Sequence, residues 1–197
     1  MRRKRSYLWE RCVLRVHSNT RHVTDSNPGI GKPTRFAFFG SPSIPVLYAA
    51  ETEEAAVAES LLHDVPLSGR PLPARDYRDH VLGRFEVLRD LRLAMLHGLG
   101  LRRLNITNTD VIDVHGAGVY RETVAWAAAA HSAGSDGVEW MSTKCNNSPA
   151  QVLFGDRVLA TDLLLDPAYG RVFLLPEHFN WLVDMCVPLR IEVLPPH

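Results

Sequence analysis

The segment Val46-Leu47-Tyr48-Ala49-Ala50 is an unbroken apolar run that passes almost directly into a helical pattern. A run of this kind suits a strand covered on both faces, which requires a layer of structure on each side of it. Thr52 offers a side-chain acceptor at an N-cap position. Glu53 and Glu54 then place acids in the first turn, where the helix dipole favours them. The spacing predicts a helix over 52–65. On a helical wheel Ala58, Leu61, Leu62 and Val65 form one apolar stripe, and Glu59 falls on its border. A carboxylate there is half sheltered. It serves either as a solvated rim residue or as one that faces a cleft.

Further along the chain, short apolar stretches bounded by turn residues predict strands at 35–39, 84–88, 91–96, 138–142, 151–154, 171–175 and 189–194. The leucines at 88, 91, 96 and 99 fit a helix equally well. An alanine-rich helix is predicted over 120–132, stopped at Gly134. Residues 18–32 contain Asn-Pro-Gly and Gly-Lys-Pro and predict a long surface loop of the kind that is often functional. Residues 66–73 form a proline-rich linker, and 105–110 a polar turn. Helices and strands mix without regular βαβ alternation, so the expected class is α+β.

The 197 residues correspond to roughly one domain, and at 46% hydrophobic residues a core is readily built. Charge balances at 22 basic and 22 acidic side chains. Arg2, Arg3, Lys4 and Arg5 sit together at the start, so the remainder carries 18 basic against 22 acidic side chains. A body of that sign argues against a dedicated nucleic-acid binder, and residues 1–10 are expected to be a disordered, solvated terminus. No apolar run approaches the ~18 residues of a membrane span. The stretch 7–14 is broken by Glu10 and Arg11, which argues against a secretory signal. Cys12, Cys145 and Cys186 form no CxxC pair, and free thiols in a reducing cytoplasm are expected.

Familiar catalytic motifs are missing from the sequence. There is no HExxH or Cys/His cluster, and His17, His22, His97 and His115 lack ligand spacing, so no metal site is expected. There is no GxSxG elbow and no GxGxxG fingerprint. Gly29-Ile30-Gly31-Lys32 lacks the spacing of a phosphate loop and reads as a flexible turn.

What remains is an ordered set of polar residues. Arg15 lies in Val13-Leu14-Arg15-Val16, Arg35 precedes Phe36, Tyr48 sits in the apolar strand, Glu59 ends Ala55-Ala56-Val57-Ala58-Glu59, and Ser142 ends Trp140-Met141-Ser142. In order and context this set resembles the RES domain family, named for its Arg, Glu and Ser. The 46–59 block matches that family's "LYxA-E" phrase and the helix reaching "AxxE". The family's GGRW-like segment reads Lys32-Pro33-Thr34-Arg35-Phe36 here, and the usual tyrosine of its late serine phrase is Trp140. The resemblance runs from about residue 12 to about 160. It implies a single domain over 11–197, with an extension from about 160 that covers the core or forms an oligomer contact.

The resemblance also implies a fold like the ADP-ribosyltransferase toxins, a mixed β core flanked by helices. It implies a bacterial toxin silenced by an Xre-like antitoxin, acting on NAD as substrate, without a cofactor, by hydrolysis or phosphorolysis of the nicotinamide–ribose bond. Glu59 would stabilise the oxocarbenium-like ribose, Arg15 and Arg35 would hold the pyrophosphate, Tyr48 would pack on the nicotinamide or ribose, and Ser142 would hydrogen-bond the carboxamide or a ribose hydroxyl. Two further readings stay open: a catalytically silent RES-like binding protein, and an ADP-ribosyltransferase that modifies a protein.

Overall fold

Strand β3 (Val46–Ala50) lies at the heart of the molecule, with Leu47 and Ala49 in one apolar cluster and Val46 and Ala50 in another on the opposite face. The doubly covered strand expected from its composition is thus observed. The computed structural model describes residues 2–4, 12–66, 68–109 and 120–196. Its strands are β1 (Arg2–Lys4), β2 (Cys12–Ser18), β3, β4 (His80–Val87), β5 (Arg92–Leu96), β6 (Gly137–Met141), β7 (Pro149–Phe154) and β8 (Leu163–Val172). They form one eight-stranded sheet in the order β1-β5-β6-β7-β3-β2-β4-β8. Only β5 and β6 run parallel; the other pairs are antiparallel. With helices α1 (Glu53–Ala58), α2 (Leu99–Leu104), α3 (Arg121–Ser132) and α4 (Pro176–Cys186), this is an α+β fold with a mixed sheet flanked by helices, as the sequence led us to expect.

The sheet has a fork in it. Most neighbouring strands share several register pairs, but β2 and β3 meet only at Leu14↔Ala50. Within the sheet, β2, β4 and β8 are therefore joined to the other strands at a single register pair.

Helix α1 begins as its sequence predicts, with the Thr52 side chain accepting from the Ala55 N–H at 3.2 Å. It ends sooner, at Ala58, with Glu59 as its C-cap. Ser60 Oγ donates to the Ala56 carbonyl, and the Leu62 N–H reaches back to Val57 at 3.2 Å, so tight turns replace the remainder of the predicted helix. Leu61, Leu62 and Val65 are still buried, which explains the apolar stripe without a continuous helix.

Four other expectations are corrected. Residues 35–39 form no strand: Thr34 and Ala37 make an isolated bridge, and Arg35, Phe36 and Ala37 are buried. Residues 171–175 are the end of β8 and the lead into α4, whose first helical residue is Pro176. Residues 189–194 contribute a bridge from Val193 to Leu72 in the proline-rich linker. Arg2–Lys4, expected within a disordered terminus, pair with β5 along its otherwise open edge; backbone pairing there needs no apolar pattern. The rest of that basic segment, together with Asp110 and His115, lies outside the described residues. Among the described residues no helix is long and apolar enough to cross a membrane.

Candidate functional site

The fork between β2 and β3 holds a small cavity lined by Leu14, Arg15, Val16, Tyr48, Glu59 and Trp140, among others. Its volume is about 40 Å³, the scale of a single water molecule. Three of the residues singled out in the sequence thus converge where the sheet opens.

Glu59 is held from one side. Its Oε1 accepts from Ser142 Oγ at 2.7 Å and from the Thr143 N–H at 2.9 Å. Both donors fall on the same oxygen, so Oε2 takes no part in this anchor. Ser142 is fully buried. Its single hydroxyl proton goes to Glu59, and its oxygen accepts from the Cys145 N–H at 3.1 Å. In this arrangement the Ser142 hydroxyl is engaged with Glu59 and helps to fix the carboxylate. The 142–148 turn that supplies these donors is itself tied down. Lys144 Nζ donates to the Val65 carbonyl at 3.2 Å, and the Ser142 N–H donates to Ser148 at 3.1 Å. Burial pushes the Cys145 thiol pKa up, and the nearby Glu54 and Glu59 charges add to that.

Tyr48 is held from the other side. Its hydroxyl accepts from the Phe36 N–H at 3.1 Å and shares a hydrogen bond with Thr34 Oγ1 at 2.9 Å. Burial raises its pKa to about 12, opposed by those two hydrogen bonds and by the Arg35 charge. Its ring meets Trp140 edge-on at 6.0 Å, and Trp140 in turn packs on Phe36 at 4.7 Å. Arg35 is buried next to this group, with its carbonyl accepting from Thr123 Oγ1 of α3. The 34–36 segment, not a strand, is thus the piece that brings Arg35 to Tyr48.

Arg15 lines the cavity, but its Nη1 donates to the Val23 and Asp25 carbonyls at 2.8 and 2.6 Å. The guanidinium therefore braces the 18–32 loop. Burial lowers its pKa to about 10, with Asp25 pulling the other way. Among the described residues no group of three His, Cys, Asp or Glu side chains is placed to hold a metal ion.

The arrangement pairs an anchored carboxylate with two sheltered arginines and a half-buried tyrosine. The sequence pattern of the RES domain matches residues 8–169 of this chain. The chain belongs to the RES domain family. No curated protein sequence matches it. Among solved structures, a chain of the M. tuberculosis MbcT–MbcA toxin–antitoxin complex is similar, with a TM-score of 0.54 and 17% identity over 82% of this chain and 83% of that one. At that identity the likeness is one of fold.

Of the residues singled out from the sequence of this RES domain, Arg15, Tyr48 and Glu59 line the cavity, Ser142 is bound to Glu59, and Arg35 lies close to Tyr48. Thr34, Phe36 and Thr143, which hold Tyr48 and Glu59 in place, were not singled out. Phe36 and Thr143 act through backbone N–H groups, which leave no side-chain signal. Thr34 lies in the segment that departs from the GGRW pattern, where no glycine-rich turn marked it.

Proposed function

We propose that this protein is a toxin-type enzyme that cleaves the nicotinamide–ribose bond of NAD. The observation that carries the reading is the carboxylate of Glu59, oriented by Ser142 and Thr143 at the fork beside Tyr48 and Arg15, with Arg35 close to Tyr48. In NAD the leaving group is a cationic pyridinium that takes the bonding electron pair and departs as neutral nicotinamide. It needs no proton from a general acid. The ribose left behind carries oxocarbenium character, as in glycoside cleavage. A fixed carboxylate stabilises that charge without reorganising at the moment of reaction. With Oε1 engaged by its donors, Oε2 is the oxygen that faces this task. Water or inorganic phosphate then bonds to the ribose carbon, and the proton lost from that nucleophile passes to solvent.

Arg35 and Arg15 supply charge for the pyrophosphate, since guanidinium remains cationic and offers paired donors. Tyr48 gives an aromatic wall at the reacting end. The cavity of about 40 Å³ admits only a small group, so binding NAD requires the walls of the fork to part. An Xre-like antitoxin that covers the fork would silence the enzyme by exclusion alone. Membership of the RES family and the toxin–antitoxin complex of similar fold support such a partner.

The same narrow cavity, with Lys32-Pro33-Thr34 in place of a glycine-rich lead, favours the second reading, a catalytically silent binding protein. The deciding experiment expresses the wild type and Glu59→Gln from an inducible promoter in bacteria, following cellular NAD and growth. NAD loss and arrest with the wild type alone support the enzyme. Normal NAD and growth with soluble wild-type protein support the silent protein. Arrest by both proteins assigns toxicity to something other than NAD cleavage.

A further inference from the structure

Helix α1 has only six residues, too few to hold its own shape, yet it delivers Glu59 at its end. Its position must come from outside. Its residues Ala55–Ala58 are buried in the core, and Glu53 at its first position adds a polar tether. Arg171 Nη2 donates to both carboxylate oxygens of Glu53 at 2.9 and 3.2 Å, and Arg171 Nε donates at 3.3 Å. The Tyr169 hydroxyl also donates to Glu53 Oε1. The Arg171 guanidinium lies 4.3 Å from the ring centre of Trp181 on α4, and Trp181 stacks on Phe173. Arg84, bound to Asp166 at 2.6 Å, covers the Tyr169 ring at 4.4 Å. Arg171, Phe173 and Trp181 lie beyond the stretch that matches the RES family.

We infer that the C-terminal segment positions the candidate catalytic carboxylate, with Glu53 and Arg171 as a positioning pair that sets where α1, and therefore Glu59, sits. This rests on the NAD-cleaving reading for its effect on turnover, but not for its effect on α1. A paired arginine backed by an aromatic ring loses little side-chain freedom on binding, so it makes a stiffer link than an exposed ion pair. An ordinary surface pair in its place would leave α1 where it is when removed.

Cys145 reports on α1 directly, because it lies close enough to Glu54 and Glu59 to feel their charges. Cys12 is exposed and Cys186 buried, so a Cys12→Ser background leaves Cys145 as the accessible thiol among the three. In that background, the alkylation rate of Cys145 by iodoacetamide and steady-state NAD turnover are compared for wild type, Glu53→Gln, Arg171→Ala and Arg171→Lys. The expected result is alkylation faster by several-fold in Glu53→Gln and Arg171→Ala, and kcat lower by roughly tenfold with KM for NAD within about twofold. Arg171→Lys recovers part of both. If Arg171→Ala does not fold, Tyr169→Phe, which removes one donor to Glu53, takes its place with the same direction expected. Unchanged alkylation overturns the inference whatever the turnover. Faster alkylation with unchanged kcat overturns it as well. If the wild type has no NAD turnover, the enzyme reading fails on its own, and alkylation still decides whether the pair sets the position of α1.

Discussion

Ser142 donates its hydroxyl to Glu59 at 2.7 Å across 83 positions of sequence, joining the end of β6 to the end of α1. This contact turns two separately recognisable residues into one unit. Ser142 is buried and donates its one hydroxyl proton to the carboxylate, so on the proposed reading it acts as a positioning residue for Glu59. Ser142→Ala should therefore lower kcat by about tenfold to a hundredfold, matching the ~1.5–3 kcal/mol of a hydrogen bond to a charged group, with KM for NAD little changed. Steady-state nicotinamide release measures both. A rise in KM with unchanged kcat would instead place Ser142 on the substrate.

The two arginines are predicted to differ. Arg35→Ala should weaken NAD binding by about 1.5–3 kcal/mol, read by calorimetry. Arg15→Ala should weaken it too, and should also lower the melting temperature, because Arg15 braces the loop through the Val23 and Asp25 carbonyls. Unchanged NAD affinity in both variants would remove the phosphate-holding role.

Tyr48 makes stability depend on alkaline pH. Its folded-state pKa of about 12 is above the ordinary 10, so folding favours the protonated hydroxyl. That contribution is fully present below pH 10 and is lost as pH rises toward 12, with a limiting slope of about 1.4 kcal/mol per pH unit. Denaturant midpoints measured from pH 9 to about 12 should fall less steeply in Tyr48→Phe than in the wild type.

Gly137 opens β6 where the strand packs hard against its neighbour. A Cβ there would overlap the Val152 carbonyl oxygen and press on Leu93 at 3.1 Å. Gly137→Ala should cost about 2 kcal/mol or more, by the reasoning that applies to overpacked cores. Thermal unfolding checks this, and an unchanged melting temperature would show that β6 can shift without loss.

Local pattern carried much of this molecule. The apolar run of β3, the Thr52 cap of α1 and the alanine-rich α3 are all visible because each is set by near neighbours in sequence. The break after Ala58 is not visible, because Ser60 turns its hydroxyl onto the backbone there and competes with the helix. Residues 35–39 read as a strand from their composition, yet segment 34–36 folds as a tight turn held by Tyr48 and Thr123, two partners distant in sequence. Strand β8 shows mostly exposed positions and so lacks the alternation that announces a strand. In the candidate site, family pattern named Glu59 and Ser142, but the bond between them needed the fold.

On the proposed reading, Glu59 is the group that makes NAD cleavage possible. Nicotinamide release from NAD by purified wild type and Glu59→Gln, each shown to be folded by circular dichroism and melting, tests it most directly. A measurable wild-type rate is expected, with a loss of roughly a hundredfold or more in Glu59→Gln, the scale of about 3 kcal/mol of transition-state stabilisation. A folded Glu59→Gln protein that turns over NAD at the wild-type rate would contradict it.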